Sequence, residues 1–145
     1  MDTQGKKVTP VQENMWRTQD GKVYLLGTRC QDCGEEVFPR REVNVCPHCG
    51  SKKLEDTEFL GEGQTISYTS VISRPAGNYY LGPVPFNYIV VKLDSGAVNV
   101  QGHYINVSED DIHVGDRVRA VEDVLWETED EIVTTYKFTP AGKEA

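Results

Sequence analysis

Apolar and polar positions alternate with a period near two through most of the chain's second half, the spacing of strands with one buried face. GQTISYTSVISR (63–74) sets the pattern. FNYIVVKLD (86–94) and AVNVQGHYI (97–105) repeat it, and the Ser95-Gly96 step between them suits a tight hairpin. DRVRAVEDVLWET (116–128) and EIVTTYKFT (131–139) add a fourth and a fifth strand around an acidic turn, TEDE. Between the third and the fourth, NVSEDDIHVGD (106–116) predicts a short helical or turn connection capped by Ser108. Five strands with a connector in that place match the OB-fold, a partly open five-stranded barrel.

The first third reads differently. Residues 1–20 are polar, with Met15 and Trp16 as the only sizeable apolar pair, and Thr9 to Gln19 is expected to form a short helix, with Thr9 as N-cap and Pro10 in the first turn. Met15 and Trp16 are expected to pack on their own domain. KVYLLGTRC (22–30) is a strand that delivers the first of four cysteines, and SKKLEDTEFLGEG (51–63) returns from the last of them. The reading is mainly β: an arm (1–21), a rubredoxin-like zinc ribbon (22–55) and an OB-fold domain (56–145), with separate cores expected for ribbon and barrel.

CQDCGEEVFPRREVNVCPHCG (30–50) holds every cysteine in the chain. Cys30, Cys33, Cys46 and Cys49 form two Cys-x-x-Cys pairs, each followed by glycine, and can supply four thiolates to one tetrahedral ion. Gly34 and Gly50 permit the positive φ with which such turns aim backbone N–H groups at sulfur. A closed four-sulfur zinc site is structural, because no coordination position remains for water. Iron in the same turns makes an electron carrier, and a dithiol exchanger needs an accessible thiol of low pKa. His48, inside the second turn, is expected to face solvent.

Composition narrows the function. At 145 residues and a mean hydropathy of −0.49, the chain can bury a core of its own. No apolar run approaches a membrane span and no leader is evident, which points to the cytoplasm, where reduced thiols favour metal over disulfides. The net charge is −8, unevenly spread. Residues 1–53 carry 9 Lys+Arg against 7 Asp+Glu, whereas residues 54–145 carry 6 against 16. A barrel with a balance of −10 repels a phosphate backbone, which argues against a nucleic-acid-binding ribbon and barrel. His103 and His113 are isolated, and no thiol lies outside the metal set, so neither a general base nor a nucleophile stands out.

DGKVYLLGTRCQDCGEEVFPRREVNVCPHCGS, then GEGQTISYTSVI, PFNYIVVKLDSG and VGDRVRAV follow in an order that resembles a family of small acyl-CoA-associated proteins. Its members join a rubredoxin-like zinc ribbon to an OB-fold. The resemblance implies one structural zinc and a non-catalytic subunit beside a thiolase-like enzyme, including thiolases of toluene catabolism. Some relatives accompany hydratases or aldolases. In that setting Arg40 and Arg41 are candidates for a partner carboxylate or a CoA phosphate, since guanidinium pairs well with both. The loop SRPAGNYYLGPVPF (73–86) is too long and too rich in Gly and Pro for a hairpin. Its Tyr79 and Tyr80 are candidates for contact with acyl-CoA or the partner, or for folding back on the barrel.

Overall fold

Inward-facing residues at alternate positions close a barrel in the second half of the computed structural model, which describes residues 5–77 and 80–142. Its strands are β6 (Glu62–Val71), β7 (Phe86–Leu93), β8 (Asn99–Tyr104), β9 (Arg117–Glu127) and β10 (Glu131–Pro140), preceded by β1 (Lys7–Pro10), β2 (Trp16–Gln19), β3 (Lys22–Cys30), β4 (Glu36–Val37) and β5 (Leu54–Leu60). Ile89, Val91 and Leu93 enter the core from β7, Val100 and Tyr104 from β8, Val118 and Ala120 from β9, and Phe138 from β10. β7 pairs antiparallel with β6 and β8, β9 with β6 and β10, and a parallel contact at Phe138 and Tyr104 joins β10 to β8. This is the closed OB order. At Gly102 a side chain would meet the Phe138 ring at 3.1 Å, so the bare backbone there admits the aromatic layer.

The connector between β8 and β9 contains a 3-10 turn, Glu109–Asp111, with Ser108 at its N-cap, although the serine side chain makes no cap hydrogen bond. Among the described residues no helix is long and apolar enough to cross a membrane.

The arm is where the sequence reading fails. Instead of a helix over Thr9 to Gln19, β1 adds parallel to the outer edge of β10, with Lys7 opposite Glu131 and Pro10 opposite Thr134. β2 then pairs antiparallel with β3, Trp16 opposite Leu25. Proline at a strand end and a donor-rich neighbouring edge outweigh the weak local helix signal. Met15 and Trp16 pack against the core as expected, with the Trp16 ring edge-on to Tyr136 at 6.4 Å.

Ribbon and barrel do not have separate cores. β3 pairs with β5 from Tyr24 to Cys30. Their inward residues Val23, Leu25 and Phe59 belong to one cluster with Ile89, Val118 and Phe138. Phe38 reaches the same cluster from the ribbon and sits edge-on to Tyr136 at 5.8 Å. The ribbon base is thus a second layer of the barrel's core, and only its cysteine-bearing tip stands clear of it.

Candidate metal centre

Each cysteine pair sits on a turn closed by the same two backbone hydrogen bonds. The Cys30 C=O accepts from Gly34 at 2.9 Å, and the Cys30 N–H donates to Glu35 O at 2.8 Å. Cys46 repeats this with Gly50 at 3.0 Å and Ser51 O at 2.8 Å. Gly34 and Gly50 adopt φ of 78° and 76°, the left-handed conformation that lets the turn close. The Cys33 N–H lies 3.5 Å from Cys30 Sγ and the His48 N–H 3.4 Å from Cys46 Sγ, each directed at sulfur.

The four sulfurs converge. Cys30 and Cys49 are 3.6 Å apart, as are Cys33 and Cys46, and all four lie within 4.8 Å of one another. A tetrahedron with metal–sulfur bonds of about 2.3 Å has edges of about 3.8 Å, so two of the separations are already close to that edge and the four donors are near enough to converge on one zinc ion. The electrostatics need a cation. The Cys33 N–H, more than any other group, lowers the Cys30 thiol to about 6. Cys33 is pulled down by the Glu35 N–H, yet desolvation of its sulfur within the cluster and the neighbouring thiols outweigh it and push it up to about 12, although the residue as a whole is exposed. Thiols this close ionise together only around a positive ion. Cys30 and Cys46 are buried whereas Cys33 and Cys49 are exposed, so the cage sits at the ribbon's surface. His48 is exposed and brings its backbone rather than its ring to the cage.

Two contacts that sequence reading missed tie the turns together. Ser51 Oγ donates to the Asp32 carboxylate, and the Gln31 N–H donates to Lys53 O at 2.8 Å. Asp32 and Ser51 lie 19 residues apart, which leaves no local pattern that could have singled them out.

Arg40 and Arg41 are partly committed to the ribbon itself. Arg40 Nε lies 3.4 Å from Gly27 O and 3.5 Å from the Asp56 carboxylate. Arg41 donates its backbone N–H to Thr28 Oγ1 at 3.1 Å and its Nε to Val45 O at 3.0 Å. With Gln12, Glu13 and Asn14 of the arm they line a cleft of about 290 Å³. Glu13, Glu42 and Asp56 share that cleft, so its charge is mixed.

Tyr80 turns inward. It is 8% exposed, and its hydroxyl donates to Pro83 O at 2.6 Å. Its ring packs against Phe86 at 5.1 Å, His103 at 5.7 Å and Trp126 at 6.1 Å. Tyr80 therefore packs on the barrel, the folding-back arrangement that is one of the two readings of this loop. Tyr79 lies outside the described residues. The sequence reading also missed what Tyr80 covers: His103 stacks on Phe86 at 4.2 Å with Tyr88 edge-on at 5.8 Å. Burial, reinforced by Lys137, lowers His103 to about 4. His113 is held by its N–H on the Asp116 carboxylate at 2.9 Å.

Comparison with known proteins agrees with this architecture. The description "ChsH2, rubredoxin-like zinc ribbon domain" matches residues 20–55, and "ChsH2, C-terminal OB-fold domain" matches residues 57–122. A DUF35 domain-containing scaffold protein of Pyrococcus furiosus is 34% identical over 130 residues, covering 88% of this chain and 91% of that protein. The chain belongs to this ChsH2-like DUF35 family, and its four cysteines are the metal site of the family's zinc ribbon. Among solved structures, one described as "Ltp2-ChsH2(DUF35) aldolase" superposes with a TM-score of 0.62 at 26% identity, covering 81% of this chain and 84% of that one. The benzoylsuccinyl-CoA thiolase subunit BbsA of Thauera aromatica is 32% identical over 71 residues, 48% of this chain and 46% of that subunit.

Proposed function

We propose that the chain is a zinc-holding, non-catalytic subunit of a thiolase-type acyl-CoA enzyme, with benzoylsuccinyl-CoA thiolysis as the particular reaction served. The observation that carries this reading is the near full-length likeness to named scaffold proteins, in a chain whose clustered thiols form a closed sulfur cage. Cys30, Cys33, Cys46 and Cys49 hold one zinc per chain. Four thiolates fill its tetrahedron, so the ion fixes the shape of the ribbon tip and takes no part in the reaction. The partial likeness to a thiolase subunit supports the choice of partner. In this reading the ribbon, with Arg40 and Arg41 beside the arm, and the loop from Ser73 to Phe86 face the catalytic subunit near its acyl-CoA site in the cytoplasm. Tyr79 takes the contact role there, and Tyr80 braces the loop that carries it.

The broader likeness to an aldolase assembly favours a second reading, in which the enzyme served cleaves its acyl-CoA by a retro-aldol step. Chemistry separates the two, because thiolysis consumes free CoA and aldol cleavage does not. The chain should co-purify with a catalytic subunit, and the pair should cleave a β-keto acyl-CoA only when CoA is added. Cleavage of a β-hydroxy acyl-CoA without CoA, to an aldehyde or ketone and the shortened acyl-CoA, would replace the thiolase by an aldolase. Turnover by the pure chain would overturn both readings.

A further inference from the structure

β6 is paired with β7 on one side from Gly63 to Val71, with a bulge at Ile66, and the ladder is regular from Ser67 to Val71. On the other side β9 reaches only Glu62, Gly63 and Gln64. Thr65 ends that side, donating its N–H to Asp116 O at 2.9 Å and accepting from the Gly115 N–H at 2.7 Å. From Ile66 to Val71 no other strand lies alongside, among the described residues. This edge presents open backbone donors and acceptors, which is a template for pairing with another strand.

The side chains there are also unusual for the molecule. Ile66, Tyr68, Ile72 (79% exposed) and Val114 (65%) are four of the eight exposed large hydrophobics among the described residues, and Val114 sits in the loop that meets Thr65. The other outer strands carry the residues that discourage edge pairing: Lys7 and Pro10 on β1, Arg17 on β2, and Glu55, Asp56 and Glu58 on β5. QTISYTSVIS, from Gln64 to Ser73, contains no charged residue in a chain of net charge −8.

We propose that two copies of the chain pair through this edge, β6 against β6 in antiparallel register, as a symmetric dimer. Neutrality points to a second copy over another protein. In a two-fold antiparallel pair each residue meets a residue of the same short run, so any charge in it meets its like or lies close to it. A different partner could answer a charge with its opposite, and the edge would have no need to be neutral. The barrel around it has a balance of −10, so barrel-to-barrel approach elsewhere sets like charges together, and this neutral run is where two barrels can join. The inference does not depend on the proposed catalytic partner, since the dimer is formed by this chain alone.

The experiment uses the full, zinc-loaded chain. Sedimentation velocity from low to high micromolar concentration should show a dimer, and hydrogen exchange should show slowed amides within Ile66–Val71. Tyr68→Lys and Thr69→Lys each place like charges across the pair and should raise the dimer Kd by about tenfold or more. Val43→Lys, at an exposed apolar position on the ribbon, should leave it unchanged. Circular dichroism and zinc content establish that each variant is folded. A monomer at every concentration, a dimer that survives both strand substitutions, or an edge protected only when a different protein binds would each overturn the proposal.

Discussion

His103 shows how a single residue's burial sets a property of the whole fold. Its ring is stacked on Phe86 and roofed by Tyr80, and that burial lowers its pKa from 6.5 to about 4. The unfolded chain therefore binds a proton at a higher pH than the folded one. This histidine's contribution is fully present above 6.5 and is lost as the pH falls toward about 4. Denaturation measured above and below that window should show wild type losing more stability with acid than His103→Gln, whose slope lacks this component. Tyr80→Ala should remove the roof, destabilise the barrel by about 3 kcal/mol as a buried aromatic truncation does, and shift His103 back toward 6.5 in a proton NMR titration. Zinc content should not change, because the cysteines lie on the other module.

At the scale of elements, β3 and β5 decide how ribbon and barrel communicate. Phe59 is fully buried between them, and a Cβ at Gly27 would lie 2.5 Å from its ring and from Val37 O. Gly27→Ala should cost about 1–3 kcal/mol in urea denaturation, because neither a backbone carbonyl nor a packed ring can retreat far. Cys46→Ser should abolish stoichiometric zinc binding, and its effect should be graded along the ribbon. Amides of the tip, from Gln31 to Lys53, should exchange quickly, whereas β3 and β5 near Leu25 and Phe59 keep their protection through the shared core. Uniform loss of protection across both modules would mean that the metal, and not the core, holds the ribbon base.

For the whole molecule, the charge distribution and the cage make a joint expectation. The purified chain should contain one zinc, little iron and no visible charge-transfer bands, and chelation should open the ribbon tip without unfolding the barrel. Its acidic barrel should show no retention of single-stranded DNA at low salt, where phosphate contacts are strongest. Measurable retention would reopen the nucleic-acid reading of the ribbon and barrel.

The features legible in the chain before folding are those that repeat locally. Alternation in β6 to β10 and the two cysteine turns with their glycines are short-range patterns, and each specifies its element wherever it is placed. The tertiary structure decided what depends on distant partners. KVTP at 7–10 became a strand because β10, over 120 residues away, offered it an edge. Tyr80 turned inward because Phe86, His103 and Trp126 meet only after the barrel closes. The single core joining Val23, Leu25 and Phe59 to Phe138 also required that closure, since hydrophobic burial depends on which faces meet in space and not on their order in the chain.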